Sequence, residues 1–153
     1  MFGKSLSEYV SFEKWILWLI VIVGLARLAL SLGGIPNSSA KWLSISIVTL
    51  LGTIYVAIRV HTTGFGSYKQ LLPLVWLQAA LGALIIVGAI ILGIVTQKDN
   101  IFTAPEYSGN QDGKTWLHVF FHVLGGLIVG PLIGWGVASL VLLITRKAAP
   151  KKA

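Results

Sequence analysis

The sequence predicts an all-α, polytopic membrane protein: four transmembrane helices in one antiparallel bundle, with both termini cytoplasmic. Four apolar stretches, at about residues 15–33, 42–60, 71–96 and 116–145, take up most of the 153-residue chain. Each reaches the roughly 20 residues that a helix rising about 1.5 Å per residue needs to cross hydrocarbon. Charge is scarce, at 11% of residues against 56% hydrophobic, where a soluble domain carries about 25% charged residues. Such a surface faces lipid over most of its area. The remaining basic residues are unevenly spread. With four spans, Lys4, Lys14, Arg59, Lys69, Arg146, Lys147, Lys151 and Lys152 share one side, and Lys41, Lys98 and Lys114 the other. The basic side is the cytoplasmic one.

The first span opens at Trp15, after Lys4 and Lys14. Its apolar run is too long for a signal peptide and no small-x-small site follows, so a retained signal anchor is expected. Gly33 to Ser39 makes a short outer turn, and His61 to Gly66 a short inner one. Ser67 followed by Gln70 is a capping-box pattern for the third helix. Lys98 to Lys114 is the long outer loop, whose Pro105, Gly109 and Gly113 argue against regular structure. Thr115 is the expected N-cap of the fourth helix. Residues 1–145 thus form a single domain, and 146–153 a basic cytoplasmic tail. Trp15, Trp18, Trp42 and Trp116 fall near the interfaces, as an aromatic belt requires. The two hairpins share no internal similarity, which gives no support to an inverted-repeat transporter.

Several chemistries are excluded. The chain has no cysteine, so it holds no disulfide, thiolate metal site or c-type haem. The net charge of +7 sits at span ends, where it meets anionic headgroups, so the bilayer and not nucleic acid is the expected partner. Gly113-Lys114-Thr115 resembles the end of a phosphate-binding loop, but Ser108 stands where the first Gly must be and no strand precedes it. Asn37-Ser38-Ser39 fits a glycosylation acceptor only weakly. No nucleophile–base–acid set is apparent. Small multidrug exporters depend on an acid inside the first helix, whereas Glu13 precedes the expected first span and no acid lies in any span.

The fourth helix carries the candidate site. His118 and His122, four residues apart, share a face that continues through Gly126, Gly130 and Gly134. The glycine row reads as a helix-packing surface. Pro131 frees the carbonyl of Leu127 and is expected to kink the helix. The histidine pair could place two imidazoles on a metal, with Glu106 or Asp112 as a further ligand. It could also supply an axial ligand to a haem or chlorin seated against Gly125 and Gly126. Arg27 is the single charge well inside a span. Such a charge costs about 3 kcal/mol or more without partners. It is expected either to turn inward to Ser46, Thr49 and His122, making a polar layer fit for a quinone carbonyl, or to snorkel. Tyr55, Gln78 and Ser139 form a second polar group in the inner half.

The leading expectation is a non-enzymatic accessory or scaffold subunit of a larger membrane complex, in a bacterial inner membrane, partnered by other subunits or by copies of itself. No cofactor is assigned to it. One alternative is an electron-transfer module that binds a His-held cofactor (haem, chlorin or metal) or a quinone. The other is a small oligomeric transporter or channel.

Overall fold

The computed structural model describes residues 1–109 and 111–149. Every regular element among them is helical: α1 (Leu6–Leu32), α2 (Asn37–Ala40), α3 (Ile45–Thr62), α4 (Tyr68–Thr96), a 3₁₀ turn (Pro105–Tyr107), α5 (Trp116–Leu124), a π turn (Gly125–Val129) and α6 (Gly130–Ala148). Four helical stretches, Leu6–Leu32, Asn37–Thr62 (α2 and α3 with the turn between them), Tyr68–Thr96 and Trp116–Ala148, are long and apolar enough to cross a membrane. α1 packs mainly on α4, α3 on α6, and α4 also lies along α3 and α6.

α1 begins at Leu6, well before Trp15. Ser5 caps it: its hydroxyl accepts from the Glu8 N–H at 3.3 Å, and Glu8 Oε2 accepts from the Ser5 N–H at 2.7 Å. This reciprocal cap satisfies two backbone donors that a helix start otherwise leaves unpaired. It also corrects the expectation that no acid lies in any long apolar helix. Glu13 sits inside α1, only 1% exposed. The helix kinks at Glu13, where φ is −118° and ψ 16°, and the carbonyl of Phe12 beside the kink accepts from Arg59.

The first residues and the end of α6 meet the α3–α4 turn. Gln70 donates to the Phe2 carbonyl at 2.8 Å, and His61 Nε2 donates to the Ala149 carbonyl at 2.6 Å. At the opposite end, the loop end, Asn37 donates to Glu106 and Tyr107 to the Asn37 carbonyl. Each end has its own apolar core. Tyr9, Phe12, Val56, Val60, Leu71 and Leu142 fill the terminal end. Ile20, Ile45, Ala89, Ile90, Ile101 and Phe102 fill the loop end.

Ile101 and Phe102 belong to the loop expected to be irregular and outside. Its first half instead plugs the bundle: Asn100, Ile101, Phe102, Thr103 and Ala104 are all buried. Asn100 makes this affordable. Its amide donates to the Ala89 carbonyl at 2.9 Å, its Oδ1 accepts from the Phe102 N–H, and its own N–H bonds Thr103 Oγ1. Buried backbone polar groups need such partners. The far end also differs from expectation: α6 runs to Ala148, so Arg146 and Lys147 are helical. Residues 150–153 of the expected basic tail lie outside the described residues.

Pro131 shapes the last stretch. It has no N–H to give the Leu127 carbonyl. The helix widens there into the π turn, in which the Gly130 N–H reaches back to the Gly125 carbonyl. The Leu127 carbonyl accepts instead from the Trp76 indole of α4, at 3.1 Å. A second indole crosses the other way, Trp135 of α6 donating to the Tyr68 carbonyl at 2.8 Å. These bonds staple α4 to α6 at two levels. Replacing Trp76 by Phe keeps the ring and deletes the donor. Interhelical hydrogen bonds in lipid are worth about 1 kcal/mol, and the variant should lose about that much. Reversible unfolding in mixed micelles measures it; wild-type stability would show that the bond contributes nothing.

Candidate functional site

α3, α4, α5, the π turn and α6 line a groove of about 440 Å³. One wall is α3. Ser46, Thr49 and Thr53 recur at i, i+3 and i+7 on it, so they share one face. None of the three hydroxyls hydrogen-bonds to another described residue. Thr53 is the most telling, because it is only 3% exposed and borders the groove. The facing wall is His122 with Gly125, Gly126, Gly130 and Gly134.

The glycines have different tasks. A Cβ on Gly126 would strike Ala83, and one on Gly134 would lie 2.5 Å from Val75 Cγ1, so both let α4 approach closely. Gly130 meets only its own helix, at the Gly125 carbonyl, and Gly125 has open space around it. The expected packing row is therefore divided: two of its glycines seat α4 within this chain, and the third borders the groove.

The histidines form a relay. His118 Nδ1 lies 2.8 Å from the Gly113 carbonyl, and His118 Nε2 lies 3.0 Å from His122 Nε2. A carbonyl only accepts, so His118 carries its proton on Nδ1. For neutral rings, His118 Nε2 is then the acceptor and His122 Nε2 the donor. Among the described residues, His122 Nδ1 is then the one nitrogen of the pair without a partner, and it is an acceptor.

This arrangement bears on the cofactor alternatives. Among the described residues no group of three or more His, Asp or Glu side chains could hold a metal. Glu106, considered as a third ligand, instead accepts from Asn37, and Asp112 from Lys114. Both Nε2 atoms face each other, so neither points outward as an axial ligand would.

Arg27 stands apart from the groove. Its guanidinium lies 5.1 Å from the Phe102 ring centroid, beneath the plugging loop, and its buried Nε has no partner. The expected layer of Arg27, Ser46, Thr49 and His122 therefore separates into a groove holding the last three and a cation–π contact holding Arg27. The second expected polar group also divides. Tyr55 is exposed and the buried Ser139 hydroxyl has no partner, while Gln78 donates to Glu13 Oε2 at 2.6 Å. Glu13 Oε1 and Gln78 Oε1 remain unpaired and buried.

Sequence reasoning missed Thr53 and Glu13, although signals for both were present. Thr53 continues the Ser46–Thr49 face by one helical step. Ser5 with Glu8 is a capping box that places Glu13 inside the helix.

The relay is anchored by the loop. Gly113 approaches the Thr103 backbone so closely that any Cβ would collide with it. Its N–H donates to the Thr103 carbonyl at 3.1 Å. Lys114 beside it pairs with Asp99 and with Asp112, the latter at 3.2 Å, and Thr115 caps α5 by accepting from the His118 N–H. The Lys114 N–H, then its ammonium, hold the Asp112 carboxyl below the usual carboxylate range.

Two outcomes follow from this anchoring. Gly113→Ala should destabilise the protein by about 1–3 kcal/mol, as overpacking does, and should shift the ¹⁵N resonance of His118 Nδ1; an unmoved resonance would disconnect loop from relay. The lowered Asp112 value means its contribution is present at neutral pH and fades as pH falls through the carboxylate range. Protection of the Asn100–Ala104 amides should therefore drop on acidification in the wild type and less in Asp112→Asn. Equal pH dependence in both would assign the effect elsewhere. No family model, curated protein or solved structure matches this chain.

Proposed function

We propose that the protein is an integral membrane binding subunit, an antiparallel bundle with both termini cytoplasmic, that holds a lipid-soluble amphipathic molecule in its groove. The observation behind this reading is that Thr53 and His122, on facing walls of the groove, each keep a polar atom that bonds no described residue, Thr53 its hydroxyl and His122 its Nδ1. Neither atom is among the fully buried unpaired ones, so both are open to the groove and able to meet a polar group there. A ligand with polar head and apolar body satisfies both. The groove volume lies within the roughly 300–1,000 Å³ typical of small-molecule sites.

The basic residues at the terminal end support a cytoplasmic placement for it. The groove, bordered by the loop-end half of α3, then opens to the outer leaflet. Binding alone performs no chemistry, so the role is that of an accessory subunit handing its ligand to another protein of the complex. A bacterial inner membrane is the setting that the charge pattern favours.

A second reading is favoured by Gly125 and Gly136, whose Cβ positions have nothing within 4 Å. These open small residues suit close approach of a helix from a partner subunit or a second copy.

Gly125→Phe separates the two readings, because open space receives the ring and the groove is filled. Extraction of wild type and variant in mild detergent, with mass spectrometry of co-purifying lipids and proteins, should recover a bound small molecule in the wild type and lose it in the variant. Identical lipid content would end the ligand reading. Loss of a stoichiometric protein partner with unchanged lipids would favour helix docking.

A further inference from the structure

We propose that the molecule taken by the groove is a quinol, the reduced dihydroxy form of a lipid-soluble quinone, bound in preference to the quinone. The inference rests on the ligand reading above and adds the chemical class.

Polarity is confined to two facing walls. The α3 wall offers the hydroxyls of Thr49 and Thr53, and the α5 wall offers His122. On the His122 wall Gly125 has nothing within 4 Å of where a Cβ would stand, and that open space admits the edge of a flat ring. A flat ring with an oxygen at each of two opposite edges reaches both walls. A fatty alcohol or a sterol has one hydroxyl and leaves a wall unpaired.

The oxidation state follows from the relay. The Gly113 carbonyl fixes the His118 proton on Nδ1, and His118 Nε2 then takes the Nε2–H of His122. His122 therefore meets the ligand as an acceptor through Nδ1. A quinol O–H donates to it. A quinone oxygen only accepts, and would face an acceptor. The threonine hydroxyls rotate to donate or accept, so they bind either form and discrimination falls to His122. Leaving one such pair unmade weakens the quinone by about tenfold, which is about 1.4 kcal/mol and within the range for an unmade hydrogen bond.

The experiment uses the full-length protein in phosphatidylcholine nanodiscs. The probes are a decyl-substituted benzoquinol kept reduced, the same molecule as its quinone, and decanol. Native mass spectrometry gives the three affinities. We expect the quinol to bind about tenfold more tightly than the quinone and decanol to bind weakly. In His118→Phe the His122 proton is released from the relay and can be offered to the ligand, so the ratio should fall towards one. Thr53→Val should weaken both forms alike. Equal wild-type affinities for quinol and quinone would overturn the inference while leaving the groove a ligand site. Decanol binding as tightly as the quinol would overturn it as well. If none of the three binds, native lipid content decides: a co-purifying lipid absent from Gly125→Phe refutes the quinol alone, and its absence refutes the ligand reading too. The wild-type ratio settles the matter if His118→Phe does not fold.

Discussion

The missing N–H of Pro131 sets the geometry on which the site depends. An uninterrupted α-helix turns about 100° per residue, so Gly126 and Gly134, eight residues apart, would face directions roughly 80° apart. The π turn takes up one extra residue, and the same pair then differs by only roughly 20°. Both glycines consequently meet α4, at Ala83 and Val75. With α4 held there, Gly130 and His122 border the groove facing α3. The Trp76 indole makes the arrangement tolerable in an apolar medium by bonding the carbonyl that proline orphans. An unsatisfied carbonyl in hydrocarbon costs several kcal/mol, so the π turn and the indole form one device.

Polar groups elsewhere in the bundle show the same economy, which is why the unbonded ones stand out. Asn100 satisfies the plugging loop with three hydrogen bonds. Arg59 meets the carbonyl beside the α1 kink, and Trp135 meets Tyr68. Thr53 and His122 Nδ1 differ in being open to one groove from facing walls. The fully buried atoms without partners among the described residues, Glu13 Oε1, Gln78 Oε1, Arg27 Nε and Ser139 Oγ, belong to residues outside its lining.

The long helices were legible because composition alone specifies them, and length plus hydropathy places four apolar helices within a few residues. Caps were legible wherever they were read: Thr115 accepts from His118 as its position predicts, and Ser67 pairs with Gln70. The start of α1 was lost because the apolar run, rather than the Ser5–Glu8 cap, was taken as its boundary, and Glu13 was lost with it. The burial of Asn100 to Ala104 lay beyond local signals. Pro105 and Gly109 do mark a loop, yet whether a loop lies over a bundle or in it depends on the space the helices leave. The His118–His122 pairing was visible as a spacing of four. What orients it, the Gly113 carbonyl, belongs to a loop whose path only the fold determines. Arg27 was misplaced for that reason too, since its neighbour Phe102 was assumed to lie outside.

The loop and the groove are consequently one unit. Gly113 touches the Thr103 backbone, Thr103 is bonded within the Asn100 plug, and the plug is packed on Ile90 and Ala89 of α4. From the other side of Gly113, its carbonyl fixes His118, and His118 fixes His122. A groove histidine on an otherwise apolar helix would be free to present either tautomer. Here a buried loop, anchored by an asparagine and held at its end by the Lys114 ion pairs, removes that freedom and makes His122 an acceptor. For the ligand proposed above, selectivity would then be set by backbone packing some distance from the groove, through the chain of contacts that runs from the Asn100 plug by Gly113 and His118 to His122.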